Sequence, residues 1–225
     1  VKVAVLSRAV FPFHGKGGLE RHVRALVRHL VRRGLEVTLY TPPAPFAEDR
    51  LEGARLVPFS CRPIPWPRSP GFVILDRSTN YLLWSLAAAR RVLSDRPDVV
   101  HAEGGAGFGY AFRWKPGDPP LVLHPQGLEE FKAPWLKRTG YLPLRLATGY
   151  AARRAQSVVV PDVSLLPDVS RYLSIEPPKA VVIPNAIDLE EIDRPVSSEV
   201  RAAICRRLEI SDQAVVLLSV GRLEA

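Results

Sequence analysis

Apolar residues fall in short blocks, separated by stretches of helical period. KVAVL (2–6), EVTLY (36–40), DVVHA (98–102), PLVLH (120–124), SVVVP (157–161) and AVVIP (180–184) are rich in β-branched residues. Short, largely continuous apolar runs of this kind mark strands buried on both faces. Between the first two blocks Leu19, Val23, Leu26, Val27, Leu30 and Val31 recur at helical spacing. Arg21, Arg24, Arg28 and Arg32 take the opposite side, and Gly34 stops the helix. Strand, glycine turn, helix and strand make a βαβ unit with a right-handed crossover.

The alternation continues. A helix is predicted over roughly 80–94, and helical structure over 128–155 with a break near Gly140 and Pro143. A short helix is predicted between the blocks at 157–161 and 180–184. The fold class is α/β, a doubly wound parallel sheet of Rossmann-like type, with a first domain over 1–184. The Pro-rich stretch 61–72, CRPIPWPRSPGF, reads as a long ordered loop. Residues 185–196 form a linker in which Asp188 and Glu191 have capping-box spacing. A helix over about 198–208 and a buried strand AVVLLSVG (214–221) predict a truncated second domain over 197–225. Such a strand would be disordered, pack on the first domain, or pair with another copy as a swapped or tail-mediated homodimer; the last two are favoured.

Glycines Gly15, Gly17 and Gly18 stand just ahead of the first helix. A helix start offers free N–H groups and the positive end of the dipole, and glycine lets an anion come close. Glu20 lies in the first turn and competes for that charge unless it points aside. The dinucleotide pattern G-x-G-x-x-G is not met, since its last glycine falls at Glu20, and the acidic residue expected after the second strand is Thr41. No Walker-type loop is present either.

Composition narrows the partners. The 225 residues are 47% hydrophobic and 24% charged, an ordinary globular balance, with net charge +8 that favours phosphates, anionic membranes or nucleic acid. No nucleic-acid motif accompanies the charge, so nucleic acid is not an expected partner. The apolar runs fall far short of the roughly 20 residues of a spanning helix. Cys61 and Cys205 lack metal-type spacing and read as reduced thiols of a cytoplasmic protein. No metal and no cofactor is implied.

Four stretches in order then carry a resemblance: GGLERHVRALVRHLVRRGLEVTLYT, LVLHPQGLEEF, AVVIPNAIDLEEI and VVLLSVGRLEA. Together they resemble the retaining, nucleotide-sugar-dependent glycosyltransferases of family four, whose GT-B architecture faces two Rossmann-like domains across a cleft. The resemblance implies the N-terminal, acceptor-side half of that architecture and the first elements of the donor domain. It implies transfer of a sugar from a nucleotide-diphosphate sugar to a sugar, lipid-linked or small-molecule acceptor, with retention of configuration, and a fragment inactive alone. Gly17, Gly18 and Arg222 match positions bordering the donor diphosphate and sugar, and His124 matches the catalytic histidine at the cleft. Lys16, Glu103, Gln126, Gly127 and Glu129 are acceptor-side candidates. Two departures stand out: Asn185-Ala186 replaces an Asn-Gly, and Pro125-Gln126 intervenes between His124 and Gly127. The family's serine after SVVVP corresponds to a position within 162–164.

Three features fit peripheral attachment to the inner face of the cell membrane: the arginine stripe of the first helix, the 61–72 loop with Arg62, Trp66 and Arg68, and the segment 131–145. In that segment Phe131, Trp135 and Leu136 alternate with Lys132, Lys137 and Arg138. Each feature also reads as a solvated face over an ordinary core. The alternative to an enzyme is a non-catalytic anion-binding or interaction module with the same half-fold.

Overall fold

The computed structural model describes all residues except 45–48, 66, 68–71, 187, 188, 190–192, 194, 212 and 219–225. The chain folds as two units, Val1–Ala186 and Ile187–Ala225.

The first unit holds an eight-stranded sheet. Its strands are β1 (Lys2–Leu6), β2 (Glu36–Thr41), β3 (Arg50–Leu51), β4 (Ala54–Pro58), β5 (Val99–Glu103), β6 (Leu121–His124), β7 (Ser157–Val160) and β8 (Ala180–Val182). Their order is β3-β4-β2-β1-β5-β6-β7-β8. Every neighbouring pair is parallel except the β3–β4 hairpin. Helices α1 (Gly18–Arg32), α2 (Val73–Asp95), α3 (Phe108–Arg113), α4 (Glu129–Lys132), α5 (Trp135–Gly140), α6 (Leu142–Arg154) and α7 (Leu166–Leu173) complete it.

Side chains alternate across a strand, so β1 feeds two cores. Val3 and Val5 pack with Val23 and Val27 of α1 and with Val37 and Leu39 of β2. Ala4 and Leu6 join the other core, with Trp84, Ala88 and Val92 of α2, Tyr110 of α3 and Ala151 of α6. The sheet is thus covered on both faces, as the doubly wound reading requires. Gly34, at φ +78°, ends α1: its N–H bonds Val31 O and the next N–H bonds Leu30 O. On the α2 side Gly109 N donates to Ser85 Oγ, and a Cβ on Gly109 would fall within the Ser85 backbone.

Several elements depart from the sequence reading. Helix α2 begins at Val73, seven residues before the predicted start. The intervening Ser, Thr, Asp and Asn disfavour helix interiors because they compete for backbone hydrogen bonds. Here Ser78 Oγ donates to Ile74 O, Thr79 Oγ1 to Leu75 O, and Asn80 Nδ2 to Asp76 Oδ1, so the helix itself satisfies them. The β3–β4 hairpin was not foreseen; it turns on Glu52 and Gly53, both at positive φ. Glu52 takes Arg24 at 2.7 Å and Arg28 at 3.5 Å, so two members of the arginine stripe are engaged. Strand β8 was predicted buried, but it is the sheet edge and exposes Val181 and Val182. Ala186 keeps an ordinary φ, so the Asn-Ala replacement brings no strain there.

In the second unit α8 (Ser198–Arg207) is capped by Ser197, whose hydroxyl accepts from Val200 N. The strand predicted over 214–221 is not formed in its described part: 214–218 carries no strand, and Val215, Val216, Leu217 and Leu218 are exposed. A strand is stabilised by pairing partners rather than by its own apolarity, and none is present for this segment among the described residues. The capping pair Asp188 and Glu191 lies outside the described residues, as do Trp66 and Arg68.

Candidate functional site

Strand order reverses between β1 and β5, and open α/β sheets bind ligands at the carboxyl ends of the strands flanking such a point. The glycine loop leaves β1 at this edge. It is tied to the neighbouring strand by His14, whose Nδ1 accepts from Val10 N at 3.3 Å. Its Nε2 then carries the proton and donates to Pro42 O at 3.0 Å. Gly17 is the N-cap of α1 and Gly18 its first residue. A Cβ on Gly18 would meet nothing within 4 Å, so space there is open. Glu20 does not point aside: its carboxylate lies against Gly15 and Gly17. Lys16 is exposed.

Strand parity builds the second half of the site. Glu103 and His124 are register partners across β5 and β6, and His101 lies two residues before Glu103 on the same face. That face is the one α1 covers, since His101 pairs with Val5, and α1 contributes His22. Glu103 and His124 are both about 2% exposed. His101 Nε2 donates to Glu103 Oε1 at 2.9 Å, while His22 Nε2 stands 3.4 Å from the same oxygen without hydrogen-bond alignment. The rings of His22 and His124 meet edge-on, 5.0 Å apart. Burial alone would push the Glu103 carboxyl up. Hydrogen bonding to the neighbouring imidazoles, His101 foremost, outweighs it and holds that group well below the usual carboxylate range.

Gln126 connects the acid to the histidine. Its amide nitrogen donates to Glu103 Oε2 and lies 3.2 Å from His124 Nδ1. An ionised carboxylate only accepts, which fixes the amide orientation. His124 Nδ1 is then an acceptor, and Nε2 carries the proton. That N–H is buried and has no partner among the described residues. An unpaired buried donor costs about 1–3 kcal/mol, and such groups are kept where a ligand satisfies them. The loop that holds Gln126 is itself constrained: Gln126 and Leu128 lie at φ +64° and +58°, whereas Gly127 between them does not. Non-glycine residues in this region store strain and cluster at functional sites.

The predicted residues therefore separate. Gly17 and Gly18 edge the crevice; His124, Glu103 and Gln126 converge in one cluster. Gly127 and Glu129 are exposed and stay outside it. Arg222 lies outside the described residues. Asp162 accepts from Ser164 N at 2.7 Å, so these two residues cap a turn. Sequence reasoning missed His22 and His101. Alternation in DVVHAE was the available signal for His101; His22 shares a helix face with Gly18, four residues earlier. It also passed over Glu130, which burial pushes up in pKa.

His22, Glu103 and His124 have ligand atoms within 4.8 Å of one another. A tetrahedral zinc ion with bonds of about 2.0–2.1 Å needs donors closer together, so the set would have to contract around a metal. Instead the Glu103 carboxylate already sits among the imidazoles.

Residues 16–191 match the model of Glycosyltransferase Family 4. Among curated proteins no sequence matches. Sucrose-phosphate synthase from Thermosynechococcus elongatus superposes with a TM-score of 0.65 at 15% identity, over 94% of this chain and 53% of that one. The catalytic domain of starch synthase IV from Arabidopsis thaliana, bound to ADP and acarbose, gives 0.62 at 13% identity, over 95% and 60%. HepE from Anabaena in complex with UDP-glucose gives 0.56 at 15% identity, over 94% and 50%. The chain thus spans half to three-fifths of the length of these structures, and the likeness is one of fold.

Proposed function

The chain belongs to Glycosyltransferase Family 4, and from that premise we propose that it supplies the acceptor-side half of a retaining glycosyltransferase using a nucleotide-diphosphate sugar. The observation that carries this reading is the buried His124 Nε2 at the carboxyl edge of β6, which has no hydrogen-bond partner among the described residues. Its tautomer is set by Gln126 and Glu103, and it lies one strand from the reversal point of the sheet. A neutral imidazole N–H so fixed is suited to donate to a sugar hydroxyl and orient the transferred ring.

In the reaction the acceptor oxygen bonds the anomeric carbon while the diphosphate leaves with the electron pair of the old bond. The acceptor proton ends on the departing diphosphate. Developing charge on that group calls for N–H donors and cations, and the start of α1 at Gly17–Gly18 is proposed to supply N–H donors once Glu20 yields to the ligand. Arg222 is proposed as a further diphosphate contact. HepE and starch synthase IV bind UDP-glucose and ADP, which makes uridine and adenosine nucleotide sugars the first donors to test. Residues 1–225 alone are proposed to bind ligands without sustained transfer.

Membrane attachment is part of the proposal. No described helix is long and apolar enough to cross a membrane. Phe131 is core, stacked on Tyr172 at 5.4 Å, so it does not serve a membrane face. Trp135, Leu136 and Leu146 are exposed beside Lys137 and Arg138, which suits an interfacial patch. Flotation with anionic vesicles, lost on Trp135→Ala and Leu136→Ala, tests it.

The central test is product formation from a panel of nucleotide sugars by the full-length gene product, with His124→Ala as control. Turnover that collapses in the variant at unchanged melting temperature supports the reading. No donor consumption with any nucleotide sugar would favour a binding module instead.

A further inference from the structure

A cavity of about 370 Å³ opens beside the cluster, on the α2 face of the sheet. Its lining includes Phe59 and Cys61 after β4, Tyr81 and Trp84 of α2, and two arginines, Arg8 after β1 and Arg77 of α2. The volume is within the usual range for small-molecule sites, and the wall is mostly apolar. Tyr81 and Trp84 stack at 20°. The Trp84 indole donates to Phe59 O, which holds that wall rigid.

Both guanidinium groups stand at exposed positions on the rim of this largely apolar pocket. Arg8 lies over the Tyr81 ring, 5.6 Å from its centre. Glu130 feels the charge of Arg8 without forming an ion pair with it, and no carboxylate pairs with Arg77 among the described residues. Some arginines of this unit pair with acids, as Arg24 does with Glu52 and Arg55 with Asp95, whereas others, such as Arg113 on Leu86 O, bond to the backbone. Two cations at the rim of an aromatic cavity, neither in an ion pair among the described residues, are complementary to one ligand chemistry.

We propose that this cavity binds the acceptor, and that the acceptor carries an anionic group, phosphate or carboxylate, on a compact apolar body. Arg8 and Arg77 take the anion, and the body rests on Phe59, Tyr81 and Trp84. The cavity adjoins the reacting edge because the Tyr81 hydroxyl donates to Glu103 O at 2.9 Å, making one residue a wall of both places. The word acceptor rests on the transferase reading; the binding site does not. The volume suits a ring or short chain rather than a long lipid.

Phenyl phosphate, phenol and inorganic phosphate are titrated against the 225-residue chain at low salt, followed by calorimetry. Phenyl phosphate is expected to bind at least tenfold more tightly than either part alone. Arg8→Gln and Arg77→Gln, both at exposed positions, should each weaken it about tenfold, with Arg8→Lys intermediate and melting unchanged. Equal affinity for phenol and phenyl phosphate, or indifference to both glutamine variants, overturns the proposal. So does a result in which phenyl phosphate is ignored while the variants abolish binding to phosphatidylcholine–phosphatidylglycerol vesicles, since the arginines would then serve a lipid surface. Failure of every nucleotide sugar in the transfer assay would sink the transferase reading and leave the binding result standing.

Discussion

Glu20 folds back over Gly17, with Oε2 2.5 Å from where a Cβ on that glycine would stand. The glycine therefore makes room for a carboxylate of the same helix, and that carboxylate shields the helix start. Glu20→Gln should strengthen phosphate or sulfate binding at residues 15–20 several-fold, because a negative charge leaves an anion site. Amide shifts on phosphate titration would report it. Affinity that falls in the variant would mean Glu20 organises the loop for its ligand.

Gln126→Leu removes the amide that holds His124 in one tautomer. Turnover of the full-length enzyme should drop about ten- to hundredfold while KM for the donor changes little. Gln126→Glu should do the same at neutral pH, since a second carboxylate beside Glu103 repels it. Unchanged turnover in both would remove Gln126 from the positioning of His124.

Glu103 has its pKa lowered by folding, so its stabilising contribution is present above its unfolded value, about 4.3, and is lost as pH falls through the lower folded value. Glu103→Gln should cost roughly 2–3 kcal/mol at pH 6–7. The gap between wild type and variant should close well below pH 4.5. Parallel stability curves down to pH 3 would contradict the assignment.

Gly109→Ala is expected to destabilise by about 2–3 kcal/mol, because the added methyl meets the backbone of Ser85 rather than a side chain that can turn away. For a chain of this size that is roughly 5–10 °C in melting temperature. Gly18→Ala, where nothing lies within 4 Å, should melt as the wild type does.

Much of this architecture was legible in the chain. Buried parallel strands announce themselves by apolar blocks, and KVAVL, PLVLH and SVVVP became β1, β6 and β7 with small shifts of boundary. Edge elements were not: β3 has two residues, too few for any period, and β8 looks apolar although one side is open. The glycine loop stood out because its pattern is local in sequence, and His124 was singled out through the family resemblance of LVLHPQGLEEF. The cluster around Glu103 was only half visible, since His22 and Glu103 meet through the crossing of α1 over β5, and no spacing along the chain encodes that. The Arg8–Arg77 cavity was invisible for the same reason.

His101, Glu103 and His124 share a face only because β5 and β6 are in one register. Removing or adding a single residue within Val99–Glu103 would rotate the strand end by half a period. Ala102 on insertion, or Gly104 on deletion, would then replace the carboxylate among the imidazoles, and the Glu103 charge would turn toward the packing beside Leu123 and Ala151. Conservative exchanges among the valines of β5 leave this arrangement intact, whereas a one-codon insertion or deletion there erases it. Variation in length, far more than variation in side chain, is what this segment of the gene can least tolerate.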